Sequence, residues 1–394
     1  MFHQQTALNI TWIPHFTSVI NWTLRLGLGL LKQVKPIDSP WLAIIDHSID
    51  IGTKKALVVL RVTVDALSQK EGAIQLSDCE CIGLTVSEIV NGETTAKDLK
   101  TIFNQSGLPK AIIKDCDATL NKAVRLCSQS YDVTLPVIDD IGHVMASALK
   151  HQFEKKSAYK QFIAKSNQGA QCLRQTDLAF LIPPKLRSKG RFQSISKRGK
   201  WADKMLGVFA VKGRAKKGST LARLRIAFPR FNSLRPFITR FAQTADIVSE
   251  VMGILKNKGL DQKSHEQCRQ LANGLPKRSK VKKWLLLWLQ KHSEIQQQIT
   301  TLPLLVSSDI IESLFGNFKH IMERSPQADM NRTTLLIPAL CGSRDELTVL
   351  KALSHASQKD LREWELAEIP YTLRKKRQSF YEDRNIQITG ELLC

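Results

Sequence analysis

The feature that constrains this chain most is a set of three apolar, β-rich runs packed into residues 41–90. Trp41-Leu-Ala-Ile-Ile45 ends at Asp46, Ala56–Val64 reads ALVVLRVTV, and Cys81–Val90 is the third run. β-Branched and aromatic residues favour strands. A short polar turn, Gly52-Thr-Lys-Lys55, leads from the first run into the second. Three such strands in succession predict a meander.

Beyond Val90 the hydrophobic period lengthens. Leu99, Ile102 and Phe103 give helical spacing over Thr95–Ser106, and Gly107-Leu-Pro109 stops it. Ala111–Lys114 is a further strand, ending at Asp115. A helix follows through Leu120, Val124 and Cys127, then a strand over Leu135–Ile138, where Pro136 predicts a sheet edge. A helix through Val144, Ala148 and Phe153 closes the segment. The order β-β-β-α-β-α-β-α over residues 41–153 predicts an α/β fold, an RNase H-like mixed sheet flanked by helices.

Residues 154–301 differ in character. Strand signals are few, and from Lys185 to Arg240 there are 17 Lys or Arg against one acid, Asp203. Phe237, Phe241, Ala245, Val248, Met252 and Leu255 repeat at helical spacing, as do Trp284, Leu285, Trp288 and Leu289. A mostly helical basic insertion is expected here. Residues 302–325 then return the chain to the first domain through an amphipathic helix, and residues 326–394 form a helical tail that includes Arg374-Lys-Lys-Arg377. Residues 1–40 read as a partly helical lead-in.

The chain has 394 residues and a formal net charge of +22, which favours association with a polyanion. No apolar run is long enough to span a bilayer, and Met1-Phe-His-Gln-Gln lacks the basic start of a signal peptide, so a cytoplasmic protein is expected. The eight cysteines contain no CxxC pair. Reduced thiols are the default reading, ahead of metal roles for Cys79 with Cys81 or His265 with Cys268.

Three acids stand out against this framework. Asp46 and Asp115 each end a strand, and Glu312 lies in Ser308-Asp-Ile-Ile-Glu-Ser-Leu-Phe-Gly-Asn-Phe-Lys319. Carboxylates at strand ends can converge on one sheet edge and hold two Mg²⁺ or Mn²⁺ ions that activate a water or 3′-OH. Each acid has a local alternative. Asp46 could cap a turn, as Asp50 could. Asp115 could cap the following helix, a place for which Asp117 competes. Asp309-Ile-Ile-Glu312 fits a capping box with Glu312 at the third helical position. Yet Ile311, Leu314, Phe315, Phe318 and Met322 form a buried stripe, and Glu312, Gly316 and Lys319 run in a polar line beside it. Gly316 leaves space next to the acid, and Lys319 could meet a phosphate. Asp139-Asp140 with His143 is a fourth cluster, read as a helix cap and local pair in a supporting role.

These residues resemble the DDE transposases of bacterial insertion sequences, whose RNase H-like core is split by an insertion before the final glutamate. The matching stretches are WLAIIDHSIDIGTKKALVVL from Trp41, IIKDCDATL from Ile112, VIDDIGHVMASALK from Val137 and SDIIESLFGNFK from Ser308. Asp46 and Asp115 are 69 residues apart, and Asp115 and Glu312 are 197 apart, the long second interval of a cut-and-paste enzyme with an insertion. Glu312 with Lys319 is similar to the glutamate–lysine signature of that group. Ser308 stands where the signature has arginine, and Asp117-Ala118 where relatives carry a small Gly-Ser pair. The resemblance implies a sequence-reading domain ahead of the core, so residues 1–40 are read as a truncated DNA-binding part.

The resemblance implies Asp46, Asp115 and Glu312 as catalytic residues and as ligands of two Mg²⁺ or Mn²⁺ ions. It implies DNA, both element ends and target, as the partner, a homodimer in the DNA complex and a nucleoid location. The phosphate-holding residues expected are Lys319 with Lys185, Arg187, Lys189, Arg191, Lys197, Arg198, Lys200, Lys212, Arg214, Lys216 and Lys217. Trp201, Trp284 and Trp288 are read as core. Two rival readings remain: a resolvase-like nuclease that cuts without joining, and a DNA-binding relic with a dead site.

Overall fold

The structure, a computed structural model, describes residues 13–47, 54–68, 72–186, 192–300, 302–322, 331–343 and 345–382. Along the chain the elements are α1 (Phe16–Lys32), β1 (Trp41–His47), β2 (Lys55–Thr63), α2 (Val64–Ser68), β3 (Glu80–Ser87), α3 (Gly92–Ser106), β4 (Ala111–Lys114), α4 (Ala118–Ser130) and β5 (Val137–Asp139). Then come α5 (Ile141–Phe153), α6 (Ser157–Leu173), α7 (Ile195–Phe209), α8 (Thr220–Ala227), α9 (Arg235–Lys258), α10 (Gln262–Asn273) and α11 (Lys280–Ile299). The last are α12 (Asp309–Met322), α13 (Leu336–Ala339), α14 (Glu346–His355), α15 (Gln358–Glu368) and α16 (Leu373–Glu382). Gly52 of the expected β1–β2 turn lies outside the described residues.

The five strands form one sheet in the order β3-β2-β1-β4-β5. β1 pairs antiparallel with β2 and β2 with β3, which is the expected meander. β1 pairs parallel with β4. This mixed sheet, antiparallel on one side and crossing over through helices on the other, is an RNase H-like α/β fold. β5 is one of the two edge strands, in keeping with Pro136 just before it.

Trp41, Ala43 and Ile45 point to one face of the sheet, where they join Leu99, Phe103, Leu120 and Val124 of α3 and α4 in a buried cluster. Leu42 and Ile44 point to the opposite face and are equally buried. Strands covered on both faces read as continuous apolar runs rather than alternating ones, as the sequence of β1 does.

Local chemistry sets the helix starts. α3 begins at Gly92, three residues before the expected Thr95, because the Asn91 side chain accepts from Glu93 N and Thr94 N in a capping box. α4 begins after Asp117, whose Oδ1 accepts from Thr119 N at 2.8 Å and Leu120 N at 3.2 Å. At the C-terminal end, α1 packs on α13, α14 and α15. Gly29 makes this possible, since a Cβ there would lie 1.9 Å from the Ala352 carbonyl oxygen.

The chain divides into two compact units. The first comprises the chain up to Lys70, Ile74–Val137 and Ser308 onward, and the second contains Ile138–Ser307. α5, read above with the sheet, falls in the second unit together with α6–α11. That unit is built on aromatic packing. The rings of Phe153, Tyr159 and Phe162 lie 5.0–5.9 Å from that of Phe241. Trp201 packs on Phe228 and Phe231 and donates Nε1–H to Leu181 O, and Trp288 is buried. Among the described residues no helix is long and apolar enough to cross a membrane.

Candidate active site at the ends of β1 and β4

The register of the parallel pair positions the first two acids. Ile44 opposes Ile113 and Ile45 opposes Lys114, so Asp46 and Asp115 are the next residues on adjacent strands. Neighbouring strands run about 4.8 Å apart. By alternation Asp46 shares the face of Leu42 and Ile44, opposite the α3–α4 cluster. Both acids are half-buried. Asp115 Oδ1 accepts from Asp117 N at 2.9 Å, which fixes the bend out of the strand. Asp117 is the N-cap of α4, so of the two competing acids it takes the structural role.

The third acid comes from α12, which packs against β1. Ile310, Ile311, Leu314, Phe315 and Phe318 are its buried residues, and none belongs to the α3–α4 cluster, so α12 covers the other face. The capping-box alternative for Glu312 does not hold. Asp309 is already helical, and the Ser308 carbonyl accepts from Ile311 N at 3.0 Å and Glu312 N at 3.3 Å. Ser308 is thus the N-cap residue, and Glu312 stands one position beyond the box. Glu312 and Lys319 are half-buried. A Cβ at Gly316 would meet nothing within 4 Å, so the line between them is open.

The donor set of Asp46, Asp115 and Glu312 is three hard carboxylates, the chemistry that suits Mg²⁺ or Mn²⁺. Among the described residues, no three His, Cys, Asp or Glu side chains come together as a metal-holding group. The fold therefore brings two acids to adjacent strand ends and a third onto the helix above them, without closing the three into one cluster.

Two neighbours of these acids went unnoticed in the sequence. His47 follows Asp46 and faces the other way, with Nε2 3.3 Å from Thr95 Oγ1. Burial pushes its imidazole down to about 4, against the opposing pull of Asp117, so it is neutral at physiological pH. Lys114 is 1% exposed, and its Nζ donates to Asp115 O at 3.0 Å. Its place in a strand, between Ile113 and Asp115, was the available signal.

In the second unit Asp140 is the N-cap of α5, accepting from His143 N at 2.8 Å. Asp139 pairs with Lys291 at 2.8 Å. Its backbone N–H donates to His292 Nε2 at 3.0 Å, and its carbonyl accepts from Trp288 Nε1 at 2.8 Å. Both acids are engaged in packing, as a cap and a local pair.

The basic residues divide by environment. Lys185, Lys197, Lys212, Arg214, Lys216 and Lys217 are exposed, the last four on the loop between α7 and α8. Lys200 is exposed but paired with Asp246 at 2.8 Å. Arg198 is corrected from a phosphate contact to a buried packing residue. It is 4% exposed, donates through Nε and Nη2 to Pro184 O and through Nη1 to Asn167 Oδ1. Arg187, Lys189 and Arg191 lie outside the described residues.

The fold and the acids together define an RNase H-like α/β protein with carboxylates at the ends of its central strands and a helical unit inserted before the third acid. No protein-family model matches the chain, and no curated protein matches it significantly. Among solved structures it is similar to the Drosophila P element transposase strand transfer complex, with a TM-score of 0.42, 10% identity, and coverage of 89% of this chain and 87% of that one.

Proposed function

We propose that this protein is a DDE-type DNA transposase, with Asp46, Asp115 and Glu312 as its catalytic carboxylates. The observation that carries the reading is the β1–β4 register, which makes Asp46 and Asp115 neighbours on the face that α12 covers. In this reading Asp46, Asp115 and Glu312 would together hold two Mg²⁺ or Mn²⁺ ions, each as a direct carboxylate ligand. Such ions, when bound, lower the barrier to attack by water or a 3′-OH and neutralise the leaving oxygen.

The chain's own residues supply the rest. Lys319, seven residues from Glu312, stands about 10 Å along the same helix and meets a backbone phosphate. The exposed lysines and arginine of the α7–α8 loop hold further phosphates. The substrates are the ends of a bacterial insertion sequence and a target duplex, two copies of the chain pair two ends, and the protein works on DNA at the nucleoid.

The test is strand transfer by the purified protein, using a labelled duplex that carries the flanking inverted repeat together with a target plasmid and Mg²⁺ or Mn²⁺. Cleaved and joined products are expected from the wild type and neither from Asp46→Asn, with DNA binding retained in both. Cleavage without joining would favour a resolvase-like nuclease. Cleavage retained in the variant would overturn the assignment.

A further inference from the structure

The second unit contains a cavity of about 610 Å³ bounded by the ends of α7 and α8 and the turn into α9. Lys212, Arg225, Arg230 and Arg235 line it, over an apolar floor that includes the buried Phe209 and Phe231. No acidic residue is among its described lining. Three of these four cations, the arginines, are not among the phosphate-holding residues that the sequence singled out.

We propose that this cavity seats the phosphodiester backbone of a nucleic-acid strand. The proposal rests on the reading that the second unit binds DNA, and it names where and with which residues.

Two of the cations are held in place by the protein itself. Arg225 donates from Nη1 to Gly213 O at 2.7 Å and from Nη2 to Val211 O at 2.6 Å, which ties down the backbone on either side of Lys212. Arg235 donates from Nη2 to Leu206 O at 2.9 Å and from Nε to Asn232 Oδ1 at 3.0 Å. A guanidinium has five N–H donors, so each keeps donors for an anion while its orientation is already fixed, which lowers the entropy cost of binding. The other two cations have no side-chain hydrogen bond or ion pair among the described residues: Lys212 on the loop, and Arg230.

Arg230 has a left-handed backbone, φ 53° and ψ 28°, an uncommon state for a residue with a side chain. Its turn is pinned by Ser233, whose N and Oγ donate to Arg230 O at 3.2 and 2.7 Å, and by Lys165 Nζ, which donates to Pro229 O at 2.6 Å. Four cations round one cavity exceed what a single phosphate needs. A strand presents successive phosphates with sugars and bases between them, which matches a cationic rim over an apolar floor.

The experiment is fluorescence anisotropy of labelled duplex DNA with the full chain, over a range of salt and without divalent metal. Arg225 and Arg235 hold backbone carbonyls, so the variants are Lys212→Gln with Arg230→Gln, and Lys212→Gln alone in case the double variant unfolds. Lys263→Gln, exposed on α10, is the control. Each lost phosphate contact makes the slope of log K against log salt shallower by about 0.9. The double variant should therefore lose about 1.8 and Lys212→Gln about 0.9, with the control unchanged. Slopes equal to wild type in both variants would overturn the proposal. So would competition by dAMP or inorganic phosphate that the variants abolish while the duplex slope stays the same, since the cavity would then hold a free nucleotide or phosphate. Binding is read without metal, so a failure of cleavage and a failure of this site are separate results.

Discussion

Asp46 and Asp115 each follow directly on a paired residue, Ile45 and Lys114, in the parallel β1–β4 register. Their proximity is therefore a property of the backbone ladder rather than of any side-chain rotamer. Leu42 and Ile44, buried on the same face, and Ile113 on the neighbouring strand fix the ladder beneath them. Removing charge from either acid without changing its shape should leave the sheet intact, which allows the chemistry to be tested apart from folding.

The nearby pair Asp115 and Asp117 gives the first such test. Asp115→Asn should abolish metal-dependent cleavage, a loss of roughly 10³-fold for several kcal/mol of transition-state stabilisation, with the melting temperature nearly unchanged. Asp117→Ala removes the cap of α4 and should cost about 1 kcal/mol of stability while cleavage survives. Denaturant titration beside a cleavage assay separates the two roles. The reverse pattern would make Asp117 the second catalytic acid.

Arg198 should behave as a packing residue. Arg198→Ala leaves Pro184 O and Asn167 Oδ1 without their buried donor, at a cost of about 3 kcal/mol. The salt slope of DNA binding by the folded fraction should match wild type. A shallower slope at unchanged stability would restore it as a phosphate contact.

A half-buried acid at the sheet edge predicts a pH effect. Glu368 accepts from Val86 N of β3 at 3.4 Å, and burial, with the nearby Asp98 carboxylate, holds its carboxyl above the usual range. A raised folded-state value means stability that is complete below the unfolded value, near 4.5, and lost as pH rises through the folded value. Glu368→Gln keeps an oxygen for Val86 N but carries no charge. Chemical denaturation should find the variant more stable than wild type at pH 7, with the difference closing by pH 4. An equal difference at both pH values would contradict this account.

Much of the sheet was legible because its signals are local. β4 falls on Ala111–Lys114 as read, since Pro109 and Asp115 bound a short apolar run. β3 ends at Ser87 rather than Val90, and α3 starts earlier than its apolar spacing suggests, because the Asn91 cap is polar and invisible to periodicity. At α12 both Ser308 and Asp309 suit an N-cap, and only the backbone hydrogen bonds decide between them. Arg198 was missed for a different reason. Counting charge placed it with its neighbours, whereas helical spacing places it with Ile195, Ala202, Met205 and Phe209 on the buried face of α7. Lys212 was singled out from the sequence, but Arg225, Arg230 and Arg235 were missed because the four cations come together only when α7, α8 and the turn into α9 are folded.

The central claim is that Glu312 acts with Asp46 and Asp115 in one site. The most direct measurement is Mg²⁺- or Mn²⁺-dependent nicking of a labelled inverted-repeat duplex by wild type and Glu312→Gln, with binding measured in parallel. The account predicts nicking by the wild type, none by the variant, and equal binding. Nicking by both would place the chemistry elsewhere. Binding without nicking in either would contradict an active carboxylate site and leave a DNA-binding protein.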